Sequence, residues 1–369
     1  MYKKLIVIAV GAALAVPGMT QASVEVYGQA RVSLDFNSNG TPALSTTCST
    51  ATPPVATACE DSAISVSSNR SRIGFRGGED LGGGLKALWQ FEHGLDFDVG
   101  SWGPYRRDTF VGLGGAFGTI QAGYMNTPYK MSTQVMDIFN YTRGDYNALM
   151  GTVNSTTHQF DVRFSNAIQY RTPDGLGGFR AVLSYSVNNA DDDLPVTTAD
   201  SEKDAFSLNG SYTQGPLYLT AAYESQNAKT LSAGVWEDAI AWKVGGSFMF
   251  GGATTLAAVW ENADLGGTGN NGARDAYHLN LAHKVDALTL KAAFTQAGET
   301  DSVADTGATH WAVGAAYAFS RTTEASFVYS VVSNDPAARY SIDLVAGPGI
   351  NGQEISSVSL GINHVFSSK

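Results

Sequence analysis

VEVYGQARVSLDF, residues 24–36, decides the fold class of the chain because its apolar and polar side chains alternate strictly. One set is Val24, Val26, Ala30, Val32, Leu34 and Phe36, and the other is Glu25, Tyr27, Gln29, Arg31, Ser33 and Asp35. Successive side chains of a β-strand point to opposite faces, so the stretch predicts one long strand with an apolar and a polar face. Strands of soluble proteins usually have about five or six residues, fewer than this one.

The same alternation recurs along the chain, between connections of two different lengths. It is clearest in LKALWQFE (85–92), LYLTAAYE (217–224), LTLKAAFTQ (288–296) and HWAVGAAYAF (310–319). We predict sixteen strands, at 24–36, 66–78, 84–97, 105–113, 118–126, 163–172, 178–188, 204–214, 216–226, 238–250, 253–262, 275–284, 287–298, 309–319, 323–333 and 355–366. Short turns alternate with long polar loops, and this arrangement predicts a 16-stranded antiparallel transmembrane β-barrel with short periplasmic turns and long extracellular loops.

The composition agrees with a barrel and argues against other classes of protein. Charged residues make up 15% of the chain, below the roughly 25% of average soluble proteins. A soluble β-sandwich is the alternative, but Ser, Thr, Gln and charged side chains occupy the second face of nearly every predicted strand. The formal net charge of −11 argues against nucleic acid as a partner. We therefore predict an all-β protein.

The first 22 residues predict a secretory signal peptide. MYKK is a basic start, LIVIAVGAALAV is an apolar run, and small residues precede an expected cleavage after Ala22. A membrane-anchoring helix needs about 20 apolar residues, and Pro17 ends this run too early. Residues 23–369 are then a single barrel domain. In an exported protein, Cys48 and Cys59, which are the only cysteines, are expected to form one disulfide within a loop.

The sequence offers no constellation of catalytic or metal-binding residues. GLGGAFG (112–118) joins two predicted strands and lacks the following helix of a phosphate-binding loop. There is no GxSxG elbow, and the six histidines are scattered. We therefore expect no enzymatic activity, no metal and no cofactor.

Five segments, spread from the first predicted strand to the last, resemble the trimeric Gram-negative general porins of the neisserial and related proteobacterial type. They are VEVYGQARVSLDF, SRIGFRGGEDLGGGLKALWQFE, RDTFVGLGGAFGTIQAGYMNTPYK, NAIQYRTPDGLGGF and SLGINHVF. The resemblance implies a homotrimer in the bacterial outer membrane, in contact with lipid and lipopolysaccharide. It also implies passive diffusion of ions and small hydrophilic solutes, and a third long loop, 127–162, that folds inward and narrows the pore.

The C-terminus departs from this family pattern. Porins of this type usually end on an aromatic residue that the barrel assembly machinery recognises, and Phe366 stands in that place. Ser367, Ser368 and Lys369 follow it here. Alternation still places Phe366 on the outward face of the last strand.

The loop and the stretch NRSRIGFRGG (69–78) supply the candidate pore residues. We expect Asp137 and Asp145 of the loop to project into water as acids of the constriction. Cations of the polar face would stand opposite them, and those we predict to line the pore are Arg31, Arg70, Arg72, Lys86, Arg107, Arg163 and Arg180. Arg76 lies beside the turn GGED, so we expect it to pair with Glu79 or Asp80. A channel specific for one substrate and an adhesin that uses its long loops remain alternatives.

Overall fold

The computed structural model describes residues 23–38, 44–45, 57–58, 62–154, 159–187, 204–232, 235–266, 272–301, 303–342 and 351–368. The predicted signal peptide and the predicted disulfide between Cys48 and Cys59 lie outside these residues, so both stay predictions.

Twenty strands are present in the described part of the chain. They are β1 (Ser23–Ser38), β2 (Leu44–Ser45), β3 (Thr57–Ala58), β4 (Ser62–Ser68), β5 (Arg72–Gly82), β6 (Leu85–Asp96), β7 (Ser101–Arg106), β8 (Thr109–Gly115), β9 (Gly118–Asn126), β10 (Arg163–Arg171), β11 (Phe179–Ser186), β12 (Ala205–Gln214), β13 (Leu217–Ser232), β14 (Val235–Phe250), β15 (Thr254–Asp264), β16 (Arg274–Val285), β17 (Leu288–Ala297), β18 (Ala308–Ala318), β19 (Thr323–Asn334) and β20 (Glu354–Ser367). Strands β2 and β3 form a separate small hairpin.

The remaining strands close into a ring by antiparallel pairing. Strand β1 pairs with β20 on one side and with β4 and β5 on the other. Strands β4 and β5 follow one another along the same line of the wall, and β7 and β8 do the same against β6. Counting each of these two pairs as one strand of the wall leaves sixteen, so the predicted 16-stranded antiparallel barrel is confirmed.

The two faces of the wall differ in polarity as the alternation predicted. Val111, Leu279 and Trp311 point outward and are 56–66% exposed. On the inner face, Gln121 and Ser184 are buried inside the barrel. An apolar outer band and a polar interior are typical of barrels that span the outer membrane. Among the described residues, no helix has the length and apolar character needed to cross a membrane.

The second strand of the wall is interrupted within NRSRIGFRGG, where a continuous strand was expected. The pairing with β1 shifts between Val32–Ser68 and Gln29–Arg72, so three residues face two, which is a β-bulge. Arg70 has a φ of 57° in the bulge. The extra residue reverses the alternation, so the inner face carries odd-numbered residues in β4 and even-numbered ones in β5.

The described residues of the third long loop, 127–154 and 159–162, fold into the barrel, as the resemblance implied. Helix α1 (Pro128–Gln134) begins at Thr127, whose hydroxyl accepts a hydrogen bond from the Lys130 amide at 3.2 Å. A 3₁₀ turn follows at Tyr146–Ala148. Most apolar side chains of the segment are almost completely buried, among them Tyr129, Phe139, Leu149, Met150 and Phe160, whereas Val135 is exposed. They pack on apolar residues of the inner wall such as Val259, and this contact keeps the loop inside the barrel.

Candidate pore constriction

One buried ion pair fastens the middle of the loop to the wall. The Arg143 guanidinium lies 2.6 Å from the Asp35 carboxylate of β1, and both side chains are at most 2% exposed. Ser67 accepts a second hydrogen bond from Arg143, and Ser359 donates one to Asp35. Each charge is therefore both paired and hydrogen-bonded, as charges inside a protein have to be. This contact fixes how far the loop reaches across the barrel.

A larger ionic cluster fastens the ends of the loop to the opposite wall. Lys243 lies 2.7 Å from Asp161 and 3.3 Å from Glu261, while Arg274 lies 2.9 Å from Glu261. The Tyr129 hydroxyl of the loop also donates to Glu261 at 2.8 Å. All these side chains are fully buried. Loop and wall therefore share one network of charges on this side.

The tip of the loop, at Asn140 and Tyr141, faces the wall near β1. The Arg31 guanidinium donates to the carbonyl oxygens of Asn140 and Tyr141 at 3.0 and 3.3 Å. Tyr141 has a φ of 60°, and its backbone amide donates to the Asp145 carboxylate at 2.7 Å. Its hydroxyl accepts a hydrogen bond from Gln134 at 2.8 Å. The tyrosine ring is thus presented to the lumen in a defined orientation.

Six cations surround this tip, and we call them the basic cluster: Arg31, Arg70, Arg72, Arg107, Lys130 and Arg163. The guanidinium carbons of Arg31 and Arg107 each lie 5.6 Å from the centre of the Tyr141 ring. Burial opposes ionisation of Tyr141, but the positive charges of Lys130, Arg107 and Arg163 outweigh it and lower its pKa to about 7. The phenol therefore reports a strongly positive local potential.

Two carboxylates of the wall partly balance the basic cluster. Glu92 is in direct contact with Arg107 and lies 3.7 Å from Arg72, and Asp108 lies 2.7 Å from Arg163. Neither acid was among the predicted site residues. The signal for Glu92 was present, since it lies on the polar side of LKALWQFE. Asp145 and Glu324 also act on Arg31, and Asp161 acts on Lys130. The six cations outnumber these five carboxylates, so the constriction carries a small excess of positive charge.

The structure brings together five of the seven predicted bases. Arg31, Arg72, Arg107 and Arg163 meet at the loop tip, and Arg70 lies next to them with its guanidinium 4.4 Å from the Tyr105 ring centre. The two remaining bases lie elsewhere. Lys86 is exposed next to the turn between β5 and β6, and Arg180 pairs with Asp174 at 2.7 Å beside the turn between β10 and β11.

The two predicted acids turn into the loop and do not project into water as expected. Asp145 accepts hydrogen bonds from the backbone amides of Tyr141 and Asn147, and Asp137 accepts one from Phe139 at 2.9 Å. In a tightly folded loop many backbone amides have no partner in a helix or sheet. The short side chain of an aspartate can accept hydrogen bonds from such amides. Burial and the nearby Asp145 charge raise the pKa of Asp137 well above its usual value.

Arg76 is paired, but with a residue that we did not expect. Both its Nε and its Nη2 lie 2.9 Å from the Glu25 carboxylate. The antiparallel register places Glu25 directly opposite Arg76, whereas Asp80 lies opposite Lys86. Arg76 therefore pairs with a residue of the neighbouring strand. Glu79 and Asp80, which are closer in sequence, are not its partners.

Phe366 lies at the closing seam between β20 and β1. It is opposite Gly28, and its ring occupies the space that a side chain at Gly28 would fill. The residues after it continue the pairing, because Ser367 donates to Glu25 and the Ser368 amide donates to the Val26 carbonyl at 2.8 and 2.9 Å. The extra residues thus extend the seam without displacing the aromatic ring.

Comparisons with known proteins agree with this architecture. A family model described as Gram-negative porin matches residues 7–337. Outer membrane porin protein 32 of Delftia acidovorans is 27% identical over 305 residues, which cover 80% of this chain and 84% of that protein. Major outer membrane protein P.IB of Neisseria gonorrhoeae is 29% identical over 199 residues, 44% of this chain. The chain thus spans 57% of the length of that neisserial relative.

Solved structures show the same fold. The anion-selective porin from Comamonas acidovorans has a TM-score of 0.76 at 24% identity, covering 94% of this chain and all of that one. OmpT of Vibrio cholerae has a TM-score of 0.64 at 17% identity, covering 95% of this chain and 100% of its own. At these identities the likeness concerns the fold alone. Together with the family match, it shows that the chain belongs to the Gram-negative porin family of outer-membrane proteins.

Proposed function

We propose that the barrel is a water-filled channel through which ions and small hydrophilic solutes diffuse passively, and that loop 127–162 narrows it. The observation that carries this proposal is the position of the loop tip opposite the basic cluster. Beside the tip lies a cavity of about 580 Å³, lined by Arg72, Glu92, Arg107 and Tyr141 among others. Polar walls and a narrow, charged section are the elements from which pores derive their selectivity.

Anions are the ions that this constriction favours. Its six cations outnumber the nearby carboxylates, so a permeating anion meets an attractive potential and a permeating cation a repulsive one. The net charge of the whole chain is negative, but most of those acids lie away from the constriction. The name of the Comamonas relative, an anion-selective porin, supports the same preference.

A reversal potential measured in a salt gradient tests both parts of the proposal. Purified protein in a planar bilayer should give stepwise conductance, with a potassium chloride reversal potential of the sign that chloride permeation produces. Stepwise conductance with cation preference would contradict the anion proposal alone. Folded protein without conductance would contradict the channel and favour the adhesin.

The partners that we propose follow the family. The protein is a homotrimer surrounded by lipid and lipopolysaccharide, and the barrel assembly machinery inserts it by recognising the last strand with Phe366. We also propose that it has no enzymatic activity. The support is that the matched relatives carry names of porins and outer-membrane proteins.

A further inference from the structure

A second cavity, of about 570 Å³, lies inside the barrel between helix α1 and the wall. Its wall side is formed by β10 to β13 and by the turn after β10, which contributes Asp174 and Leu176. Turns of this short kind lie at the periplasmic end of a barrel. A solute that has passed the basic cluster, or one arriving from the periplasm, would meet this cavity.

Arg171 supplies the cavity with a positive charge. Its Nε donates to Gln169 at 3.0 Å, and its Nη2 lies 3.6 Å from the Met131 sulfur. Within the described part of the chain, this guanidinium forms no ion pair, and the Asp108 carboxylate acts on it only from a longer distance. Arg180, which also lines the cavity, differs because Asp174 neutralises it at 2.7 Å. Arg171 is thus the group that an entering carboxylate would contact.

Apolar side chains from both the helix and the turn also line the cavity. Val135, at the end of helix α1, is 73% exposed, and Leu176 in the turn is 47% exposed. Exposed aliphatic side chains gain free energy when an apolar group covers them and displaces water. Hydroxyl groups of Ser211 and Thr213 lie on the wall. The cavity therefore offers one cation, hydroxyl groups and an apolar surface together.

We propose that this cavity is a binding site for small amphipathic carboxylates, with the carboxylate on Arg171 and an apolar body on Val135 and Leu176. A bidentate guanidinium contact gives the orientation, and the apolar contact distinguishes such solutes from acetate or chloride. The site rests on the proposed channel only for access to the lumen. It adjoins the cavity beside the loop tip, because Gln134 lines both.

Saturation-transfer NMR with phenylacetate, on purified protein in detergent, tests the site without requiring conductance. Phenylacetate should bind with saturation, and acetate should bind at least tenfold more weakly. Arg171→Gln should raise the phenylacetate dissociation constant at least tenfold. Val135→Ser should weaken phenylacetate binding and leave acetate binding unchanged. Equal binding of the two acids, or unchanged binding to Arg171→Gln, would overturn the proposal.

Arg321→Gln is the matched control, because it removes an exposed arginine from the turn between β18 and β19, outside the cavity. It should bind phenylacetate like the wild type, and an equal loss in this variant would show that only general charge matters. The electrophoretic shift between heated and unheated samples verifies that each barrel is folded. Conductance measured in parallel separates the two proposals: loss of binding with normal conductance contradicts this site alone.

Discussion

Tyr141 is the residue at which the loop meets the charges of the wall. Its ring lies against Arg31 and Arg107, and its hydroxyl is held by Gln134. Lys130, Arg107 and Arg163 stabilise the phenolate, so the pKa of Tyr141 is about 7. A tyrosine with its ordinary pKa near 10 would stay neutral at physiological pH. Here the charge of the constriction depends on one phenolic proton.

We predict that anion preference declines as the pH rises. A lowered pKa means that the neutral phenol dominates below about pH 7 and the phenolate above it, so one positive unit of net charge is lost on going from about pH 6 to pH 8. The reversal potential should shift toward that of a less anion-selective pore. Tyr141→Phe should remove this shift. Tyr218→Phe is the control, because it removes a different tyrosine hydroxyl of the lumen, and it should keep the shift. Equal pH dependence in all three proteins would refute a role for Tyr141.

The arginines of the bulge region give a second prediction at this scale. Replacing Arg70 and Arg72 together by Ser removes two positive charges from the basic cluster, so the reversal potential should move toward cation preference. Lys86→Ser removes an exposed charge of the inner face at the short-turn end and should have a smaller effect. If the reversal potential shifts equally in both variants, the position of the arginines at the constriction is irrelevant to selectivity.

Among the elements, the loop and the bulge show where reasoning from sequence succeeds and where it fails. Alternation predicted the long strands because burial of one face imposes a period of two. The alternation gave the wrong faces beyond Asn69–Ser71, because one inserted residue in the bulge exchanges the inner and outer positions. Nothing in the composition of this stretch signals the insertion. The roles of Asp137 and Asp145 were missed because backbone amides inside a folded loop compete for carboxylates. The seam partner Glu25 could not be found without the register.

The loop depends on its buried ion pair, and this dependence can be tested. Arg143→Met leaves Asp35 buried without its partner, which costs about 3–5 kcal/mol when a buried pair is broken from one side. The middle of the loop should come away from β1 while its ends stay fastened by Lys243 and Glu261. Single-channel conductance should therefore rise, and chymotrypsin should cut near residue 143. The barrel itself should persist, because its wall is held by the strand ladders.

Arg76→Met is the control for that experiment, since its pair with Glu25 is half exposed on the arginine side. Exposed ion pairs contribute little to stability. This variant should keep wild-type conductance and resistance to the protease. A similar opening of the pore in both variants would mean that loss of an arginine, rather than release of the loop, is responsible.

The whole molecule is a wall whose apolar band faces outward all the way round, and such a surface requires lipid or another barrel against it. A single β-strand is unstable alone, but the long strands of the wall are hydrogen-bonded to a neighbour on each side once the ring is closed. The closed ring is therefore the cooperative unit.

If three such units assemble, their pores should open and close independently. We predict that one insertion into a planar bilayer produces closure in three equal steps at high voltage. Cross-linking of unheated protein should give a species of three times the monomer mass. A single closing step, together with a monomer in cross-linking, would contradict the trimer and leave the channel proposal intact.

The seam between β1 and β20 has a consequence for how the protein is made. Ser367 donates a hydrogen bond to Glu25, 342 positions earlier in the sequence. Strand β1 therefore has no partner on this side until β20, the last strand, has also been exported. During that interval both strands present open edges, which are sites for aggregation. The chain is thus most vulnerable to aggregation from the time β1 is exported until β20 closes the barrel.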